Sequence, residues 1–337
     1  MARQVVTVFG GSGFIGRHLV RSLVADGHRV RVVVRDVEAA NFLKPMANAG
    51  EIVVVAADVT DATMVEAAVA GSEAVVNLVG ILYERGRRTF QRLHVDAAAT
   101  VAKAAAAAGV ARLVQMSALG ADPISPAAYG RSKAAGEAAV AEAFPGATIV
   151  RPSVVFGPED NFFNKFAGLT RITPVLPVFG CPVMPKVDFF KDGGFVSVDI
   201  YGDGGTKFQP VYVGDVADAI NSILDDDATA GRAFELGGPR VYSFKEVMEL
   251  LLQQINRRRL LVPVPFAIAA INAWFLEWLP VPPLTRDQVN LLRRDNVVSA
   301  GAATLADLGV DATPVEGVLP TYLYRFRPPK RQSPLPA

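Results

Sequence analysis

The sequence has little cysteine and no excess of charge of either sign. Cys181 is its single cysteine in 337 residues, so no disulfide can form within the chain, and we expect a reducing compartment. Thirty-four basic residues balance 33 acidic ones, for a formal charge of +1. This balance provides no long-range field to hold a nucleic-acid backbone. We expect no nucleic-acid partner and no metal site.

Long apolar runs are also missing, although 51% of the residues are hydrophobic. A membrane-spanning helix needs about 18 or more consecutive apolar residues, and no such run occurs. The chain passes directly from residues 1–4 into an apolar strand, without the layout of a signal peptide. We expect a cytoplasmic protein with no transmembrane segment. A peripheral position at the inner face of a bacterial plasma membrane stays open.

Short β-rich runs alternate with helical stretches in the first half of the chain. This alternation predicts βαβ units and therefore an α/β fold of the Rossmann type, with a doubly wound parallel sheet. The predicted strands are 5–9, 29–34, 52–56, 74–78, 112–116 and 147–150, and the predicted helices are 13–26, 37–49, 62–70, 95–110 and 129–143.

The regular alternation stops near residue 155, where proline and glycine become frequent. We therefore predict a first domain over 1–155, to which later segments return, and a smaller C-terminal α/β region over 156–325. The proline-rich residues 326–337 are predicted to form a disordered tail.

The stretch "FGGSGFIG", residues 9–16, follows the first predicted strand and opens the first predicted helix. Glycines allow a backbone to approach a pyrophosphate closely, and the N-terminus of a helix offers unbonded N–H groups and a partial positive charge. We therefore predict an NAD(P) site in the first domain. Its first part consists of Gly10, Ser12, Gly13, Phe14, Ile15 and Gly16.

The glycine spacing resembles that of the short-chain dehydrogenase/reductase superfamily, in particular its extended branch. Asp58-Val59, the loop Leu78-Val79-Gly80, the pair Tyr129-x-x-x-Lys133 and the segment "RPSVVFGP" resemble further landmarks of that superfamily. The resemblance implies that Asp58 and Val59 contact the adenine and that Leu78, Val79 and Gly80 line the cofactor. It also implies that Tyr129 and Lys133 contact the nicotinamide and its ribose, with Pro152 beside the nicotinamide.

The end of the second strand decides between the two dinucleotides. An acidic residue there binds the ribose 2′-hydroxyl of NAD, whereas a guanidinium can bind the 2′-phosphate of NADP. Val34 occupies the usual acidic position, and Arg35 follows it. Asp36 could pair with Arg35 or turn to the ribose itself. We favour NADP(H), with NAD(H) as the alternative.

Tyr129, Lys133 and Ser117 are the candidate catalytic residues. In the superfamily a tyrosine transfers a proton at the substrate oxygen, a lysine one turn later lowers its pKa, and a serine orients the substrate. Two departures weaken this interpretation: Ser117 and Tyr129 lie only 129 − 117 = 12 positions apart, and His94 stands where an asparagine is usual. Binding without turnover is therefore favoured over an active reductase, epimerase or dehydratase, for which a quinone-related substrate is one option.

Both tryptophans, Trp274 and Trp278, lie within residues 263–299, in an apolar stretch flanked by arginines. Their spacing of four residues places them on one face of a predicted helix. This pattern indicates either a surface that lies on anionic lipid or on a membrane complex, or a helix that covers the core of the second region.

Residues 263–299, together with "AFPGATIVRPSVVFGPEDNFFNKFA" and "FQPVYVGDVADAI", resemble the NAD(P)H-binding accessory subunit of respiratory complex I (NADH:ubiquinone oxidoreductase) and its bacterial relatives. This resemblance implies a tightly held NADPH with a structural role and a position beside complex I. Residues 181–208 look longer than the family's loop. We predict an extra hairpin there, around Asp192-Gly193-Gly194.

Overall fold

The computed structural model describes residues 4–182, 186–189 and 196–329. In chain order the strands are β1 Val5–Phe9, β2 Arg29–Val34, β3 Ile52–Ala56, β4 Ala74–Asn77, β5 Arg112–Met116, β6 Thr148–Pro152, β7 Val155–Phe156, β8 Val175–Phe179, β9 Lys186–Phe189, β10 Val196–Asp199, β11 Lys207–Phe208, β12 Val211–Tyr212, β13 Ala233–Leu236, β14 Tyr242–Ser243 and β15 Leu260–Val264. The α-helices are α1 Phe14–Ala25, α2 Ala62–Val69, α3 Ala97–Ala107, α4 Ala128–Ala143, α5 Phe163–Leu169, α6 Val213–Asp225, α7 Phe244–Gln254, α8 Phe266–Leu276, α9 Arg286–Leu291 and α10 Val315–Leu323.

Within the described residues, the main sheet has seven parallel strands in the order β13-β6-β5-β4-β1-β2-β3. This arrangement confirms the predicted Rossmann-type doubly wound sheet. The order of the strands reverses between β1 and β4, which are neighbours in the sheet but not in the sequence. In such sheets ligands bind in the crevice at the carboxyl ends of the strands, beside this reversal.

Apolar side chains cover both faces of the main sheet. Val6 and Val8 of β1 are fully buried on the face where α1 and α6 pack against each other. Phe9 and Val75 point to the opposite face, which α2 and α3 cover. The alanine-rich helix α3 lies close to the sheet because small methyl groups fill its buried side.

Two later segments return to the first domain. β13 extends the main sheet beyond β6, and α6 packs against α1. A separate core lies under the C-terminal region, where Phe163, Phe244 and Leu319 are buried among α5, α7 and α10. Ser243 caps the amino end of helix α7 and forms a capping box with Glu246.

Two helix predictions were wrong in their extent. The stretch 37–49 forms only a 3₁₀ helix at Asn41–Met46, because Pro45 has no N–H to continue an α-helix. The long helix predicted over 95–110 is preceded by a π-helical turn at Gln91–Asp96, and its α-helical part ends at Ala107.

The extra hairpin has a counterpart in β9 and β10, which pair in antiparallel fashion. Its predicted turn, Asp192-Gly193-Gly194, lies outside the described residues. The chain keeps its order at the start of the predicted tail, since Phe326 is buried and its carbonyl accepts a 2.9 Å bond from Arg257. Residues 330–337 lie outside the described residues.

Helix α9 connects the C-terminal region to α4. The Asp287 carboxylate accepts hydrogen bonds from the backbone N–H groups of Ala128 (2.6 Å) and Tyr129 (3.0 Å), the first two residues of α4. It therefore caps a helix that lies 158 residues away in the sequence. Thr285 and Gln288 form a capping box that fixes α9 itself. None of the helices in the described ranges is both long and apolar enough to cross a bilayer.

Candidate functional site

A cleft of about 630 Å³ opens at the carboxyl ends of β1 to β4. Nine of the residues predicted to bind the cofactor line this cleft, in three groups that come from separate loops. They are Gly10, Ser12 and Gly13 after β1, Arg35 with Asp58 and Val59 after β2 and β3, and Leu78, Val79 and Gly80 after β4.

Close backbone contacts shape the glycine loop. Gly10 has a φ of +77°, and its carbonyl accepts a 3.0 Å bond from the N–H of Gly13. A Cβ at Gly16 would lie 2.4 Å from the Gly10 carbonyl oxygen, so a larger residue cannot be accommodated without displacing the loop. Phe14, Ile15 and Gly16 form the first turn of α1, beneath the loop rather than on the cleft wall. This turn contains no acidic residue, which leaves its N–H groups suited to an anion.

The loop after β4 is fixed by Asn77. The Asn77 side chain donates to Gln115 at 2.9 Å and accepts from the N–H of Val79 at 3.1 Å. A Cβ at Gly80 would lie 3.3 Å from the Lys133 ammonium, so the missing side chain leaves Lys133 next to the cleft wall.

Four arginines line the cleft: Arg35, Arg87, Arg88 and Arg92. Only Arg35 was predicted from the sequence, although the run Gly86-Arg87-Arg88 shortly after the β4 loop was a usable signal. The two acidic residues of the lining are Asp36 and Asp58. The cleft is therefore rich in positive charge, which suits a ligand with several phosphates.

Neighbouring groups already bind both acidic side chains. Asp36 accepts a 3.0 Å bond from the N–H of Ala39. Hydrogen bonds from the N–H and the hydroxyl of Thr60 hold the pKa of Asp58 below its usual value, and the charges of Arg92 and Arg35 act in the same direction. Among the described residues, no carboxylate lies within ion-pair distance of Arg35, so its guanidinium is available to a ligand.

The candidate catalytic residues form a second group beside the cleft, at the ends of β5 and β6. Lys133 is buried and donates to the carbonyl of Met116 at 3.3 Å, and its ammonium lies 5.9 Å from the centre of the Tyr129 ring. Ser117 is buried too, and its hydroxyl has no hydrogen-bond partner among the described residues. Pro152, at the end of β6, accepts a 3.1 Å bond from the N–H of Leu119.

Burial moves the pKa values of the Tyr-Lys pair in opposite directions. It raises the pKa of the half-buried Tyr129 to about 12 and lowers the pKa of Lys133 to about 8. A general acid or base that operates at neutral pH works best with a pKa near that pH. Burial thus leaves the pKa of Tyr129 far above neutral pH.

His94 serves the structure as a neutral side chain. Its Nε2 accepts from the N–H of Ile81 at 3.0 Å, and its Nδ1 lies 2.8 Å from the hydroxyl of Ser132. That hydroxyl donates to the carbonyl of Tyr129, so it receives the proton of Nδ1. Burial lowers the pKa of His94 to about 3, and the charge of Lys133 contributes. Both ring nitrogens are occupied, which leaves no position for a proton relay through this ring.

A dinucleotide fits the residues that the structure brings together. The glycine loop packs directly on the first turn of α1, where a Cβ at Gly16 would displace it, the arginines offer counter-charges for phosphates, and the buried Ser117 hydroxyl lacks a partner among the described residues. No group of three or more His, Cys, Asp or Glu residues in the described part of the chain is arranged to hold a metal ion.

The fold and the cleft define a nucleotide-binding protein of the extended short-chain dehydrogenase type. The sequence profile of the NAD dependent epimerase/dehydratase family matches residues 6–237, and the chain belongs to this family. The resemblance inferred from the glycine loop and the Tyr-Lys pair is thereby confirmed.

More specific similarity covers nearly the whole chain. The chain is 35% identical over 335 residues to "NADH dehydrogenase [ubiquinone] 1 alpha subcomplex subunit 9, mitochondrial" of Arabidopsis thaliana. The match covers 96% of this chain and 78% of that protein. The chain is 40% identical over 177 residues to a ceramide reductase of Caulobacter vibrioides, covering 52% of this chain and 54% of the reductase. Among solved structures, a nucleoside-diphosphate-sugar epimerase of Staphylococcus aureus has a TM-score of 0.71 at 15% identity, over 94% of this chain and 99% of the epimerase.

The buried His94 predicts a specific pH dependence of stability. Its folded pKa of about 3 lies below the ordinary histidine value of 6.5, so below pH 6.5 the unfolded chain binds the proton more readily than the folded chain. As the pH falls from 7 to 4.5, His94 should therefore remove stability at up to about 1.4 kcal/mol per pH unit.

Urea unfolding of the wild type and of His94→Asn across this pH range tests the prediction. The variant should lose less stability than the wild type as the pH falls. Measurement at pH 8, where the histidine is neutral in both states, gives the cost of the substitution itself. Parallel pH profiles for the two proteins would contradict the assignment of His94 as a buried neutral group.

Proposed function

We propose that this chain is an NADP(H)-binding accessory protein of complex I, in which the nucleotide stabilises the fold instead of being turned over. The observation that carries the proposal is the cleft itself, where a glycine loop and four arginines meet at the reversal point of the sheet. The similarity to subunit 9 of NADH dehydrogenase over 96% of the chain supports the choice of partner.

Different groups of cleft residues contact different parts of the nucleotide. The loop from Gly10 to Gly13 and the first turn of α1, with Phe14, Ile15 and Gly16, hold the pyrophosphate through backbone N–H groups. Val59 and the Asp58 backbone border the adenine, and the loop from Leu78 to Gly80 borders the cofactor on the side of β4. When bound, the nicotinamide supplies a hydride site.

The opposite end of the cofactor meets the second group of residues. Tyr129 and Lys133 hold the nicotinamide ribose, the unpartnered Ser117 hydroxyl faces the same space, and Pro152 borders the ring. These assignments follow the superfamily pattern, residue by residue.

Arg35 provides the preference for NADP(H) over NAD(H). It is exposed at the end of β2, and Asp36 points its carboxylate to the N–H of Ala39. A 2′-phosphate can therefore pair with Arg35 without first breaking an ion pair. For NAD(H), the same position offers a guanidinium where a carboxylate would be the better partner for the ribose hydroxyls.

Reversal of this charge tests the nucleotide preference. Arg35→Asp should weaken NADPH binding roughly 10- to 100-fold, the equivalent of one lost charge-assisted bond, and should leave NADH binding almost unchanged. Fluorescence titration with both nucleotides measures the two affinities. Arg29→Asp is the matched control, because Arg29 is an exposed residue at the opposite end of the same strand. Unchanged NADPH affinity in Arg35→Asp would contradict the assignment.

Two features favour a tightly bound nucleotide over a nucleotide that is turned over in catalysis. The pKa of Tyr129 stays near 12, and Asp287 of α9 occupies the amino end of α4 where Tyr129 stands. A nucleotide that binds only the folded state stabilises it by about 2.7 kcal/mol when its concentration is 100 times the dissociation constant. Binding alone can therefore serve a structural role.

An active NADP-dependent reductase, epimerase or dehydratase is the second candidate. The unpartnered Ser117 hydroxyl and the nearby Tyr129 and Lys133 favour it, as does the 40% identity to a ceramide reductase over half of the chain. In this case Tyr129 would exchange the proton at the substrate oxygen, Lys133 would lower its pKa, and Ser117 would orient a substrate, for which a quinone-related compound is one option.

The second part of the proposal concerns α8 and the turn after it, which form an apolar face. Ala269 and Ala273 are buried against the protein, whereas Trp274, Phe275 and Trp278 are 45%, 62% and 79% exposed. The alanine side of the helix thus covers the core of the C-terminal region, as one sequence-based interpretation expected, while the aromatic side chains stay exposed, as the other requires. The remaining exposed members of the apolar face are Ile268, Ile271, Leu279 and Val281.

Positive charge lies at both ends of the apolar face. Arg293 stacks on the Phe266 ring at the start of α8, and Arg85 donates to the carbonyl of Pro280 beyond its end. Within the described residues, neither arginine has a carboxylate at ion-pair distance. Arg286 and Arg294, by contrast, pair with Glu277 and Asp122, so they contribute less charge than the sequence indicated.

An apolar, tryptophan-bearing face with cations at its ends suits the surface of an anionic bilayer. We therefore place this face on the membrane beside complex I, at the inner face of the plasma membrane in a bacterial cell. Burial of seven large apolar side chains at the lipid boundary supplies the affinity, and the arginines add attraction to anionic headgroups.

Vesicle binding tests the apolar face. A double substitution, Trp274→Ser with Trp278→Ser, should lower partition onto phosphatidylglycerol-containing vesicles at least about tenfold, because two large apolar groups no longer enter the interface. The control replaces two isoleucines that are 86% and 81% exposed elsewhere, Ile124→Ser with Ile172→Ser. Equal partition of the two double variants would contradict the proposal, and failure of the wild type to bind would direct attention to a protein partner.

A further inference from the structure

The loop between β4 and the π-helical turn, residues 81–90, lies between the nucleotide cleft and the apolar face. Arg87 and Arg88 line the cleft. Arg85 points the other way and donates a 2.8 Å bond to the carbonyl of Pro280, two residues after Trp278. We call this segment the bridging loop. The bridging loop thus contacts both the nucleotide cleft and the turn at the end of the apolar face, the two surfaces on which the proposed function depends.

Internal hydrogen bonds make the bridging loop a unit. Arg85 and Arg88 exchange two backbone hydrogen bonds of 3.0 Å each, and Gly86 allows the tight turn between them with a φ of +55°. At the base of the loop, the Glu84 carboxylate accepts a 2.6 Å bond from the N–H of Phe90. The backbones of Arg85 and Arg88 are therefore held together.

The turn that follows α8 depends on such side-chain contacts, because it has no regular secondary structure. Arg85 binds the carbonyl of Pro280, and the Lys165 ammonium binds the carbonyl of Pro283. A second connection begins just beyond this turn, where Asp287 caps α4, the helix that carries Tyr129 and Lys133. Arg85, from the bridging loop, thus binds the turn after α8, and α4 is hydrogen-bonded to helix α9.

We propose that nucleotide binding and docking of the apolar face are positively coupled through the bridging loop. The inference rests on the proposed function, and it adds regulation to that site. Phosphates of the nucleotide draw Arg87 and Arg88 into the cleft, which orders the loop and holds Arg85 on Pro280. The apolar face is then ordered before it meets its partner, so docking loses less entropy. Reciprocity requires docking to tighten nucleotide binding by the same factor.

Hydrogen exchange of the free protein tests this coupling without any membrane. Saturating NADPH should slow amide exchange in residues 274–284 of the wild type about fivefold, the lower range of measured couplings. In Arg85→Met this protection should disappear, while the NADPH affinity stays close to that of the wild type. The matched control Arg29→Met, at the amino end of β2, should show the protection of the wild type.

The outcomes separate the coupling from the proposed function. If NADPH binds and exchange in residues 274–284 does not change, or slows equally in Arg85→Met, the coupling is overturned and nucleotide binding stands. If NADPH does not bind at any concentration, the proposed function fails, and the coupling fails with it. Vesicle partition of the wild type should also increase with NADPH, and partition that is independent of NADPH would overturn the coupling.

Discussion

The contact of Gly16 with the backbone of Gly10 and Gly11 is the constraint on which the nucleotide cleft depends. A Cβ at Gly16 would lie 2.4 Å from the Gly10 oxygen and 2.5 Å from the Gly11 Cα. Without that atom, α1 can begin directly beneath the loop, and its unbonded N–H groups face the carboxyl edge of the sheet. The loops after β2, β3 and β4 then complete the walls around the position of the phosphates. The cationic side chains of these walls can meet the phosphates of the proposed nucleotide only if the glycine loop holds the pyrophosphate between them.

Contacts from the C-terminal region change how the opposite end of the site can be used. In an enzyme of this superfamily, the space near the tyrosine belongs to the substrate. Here Asp287 caps the helix that carries Tyr129, and Arg294 binds Asp122 in the loop before that helix. Helix α9 therefore stabilises the Tyr-Lys helix, and it follows directly on α8 and the turn that form the apolar face. In the proposed function, this region connects the cofactor end of the cleft with the apolar face.

The local pattern of the sequence was sufficient to predict the central sheet and most of the cleft. Strand periodicity and the glycine spacing depend on neighbouring residues, so β1, α1 and the loop at Gly10 are readable from the sequence. The role of Asp287 was not predictable, because its partners lie 158 residues away and nothing in the local sequence marks them. Arg87 and Arg88 were missed for a similar reason, since their value depends on where the bridging loop folds. Pro45 argued against an α-helix over 37–49, but the prediction followed the apolar pattern of that stretch.

NADP(H), as proposed, is a lasting component of the folded protein. The most direct test is to purify the full chain without added nucleotide, denature it and identify the released compound by mass spectrometry, while the absorbance of the intact sample at 340 nm is followed after addition of quinones. Stoichiometric NADP(H), with any reduced fraction persisting unoxidised, is the predicted result. Protein without nucleotide, or NADPH consumed by the wild type but not by Tyr129→Phe, would contradict the account and establish an exchanging enzyme.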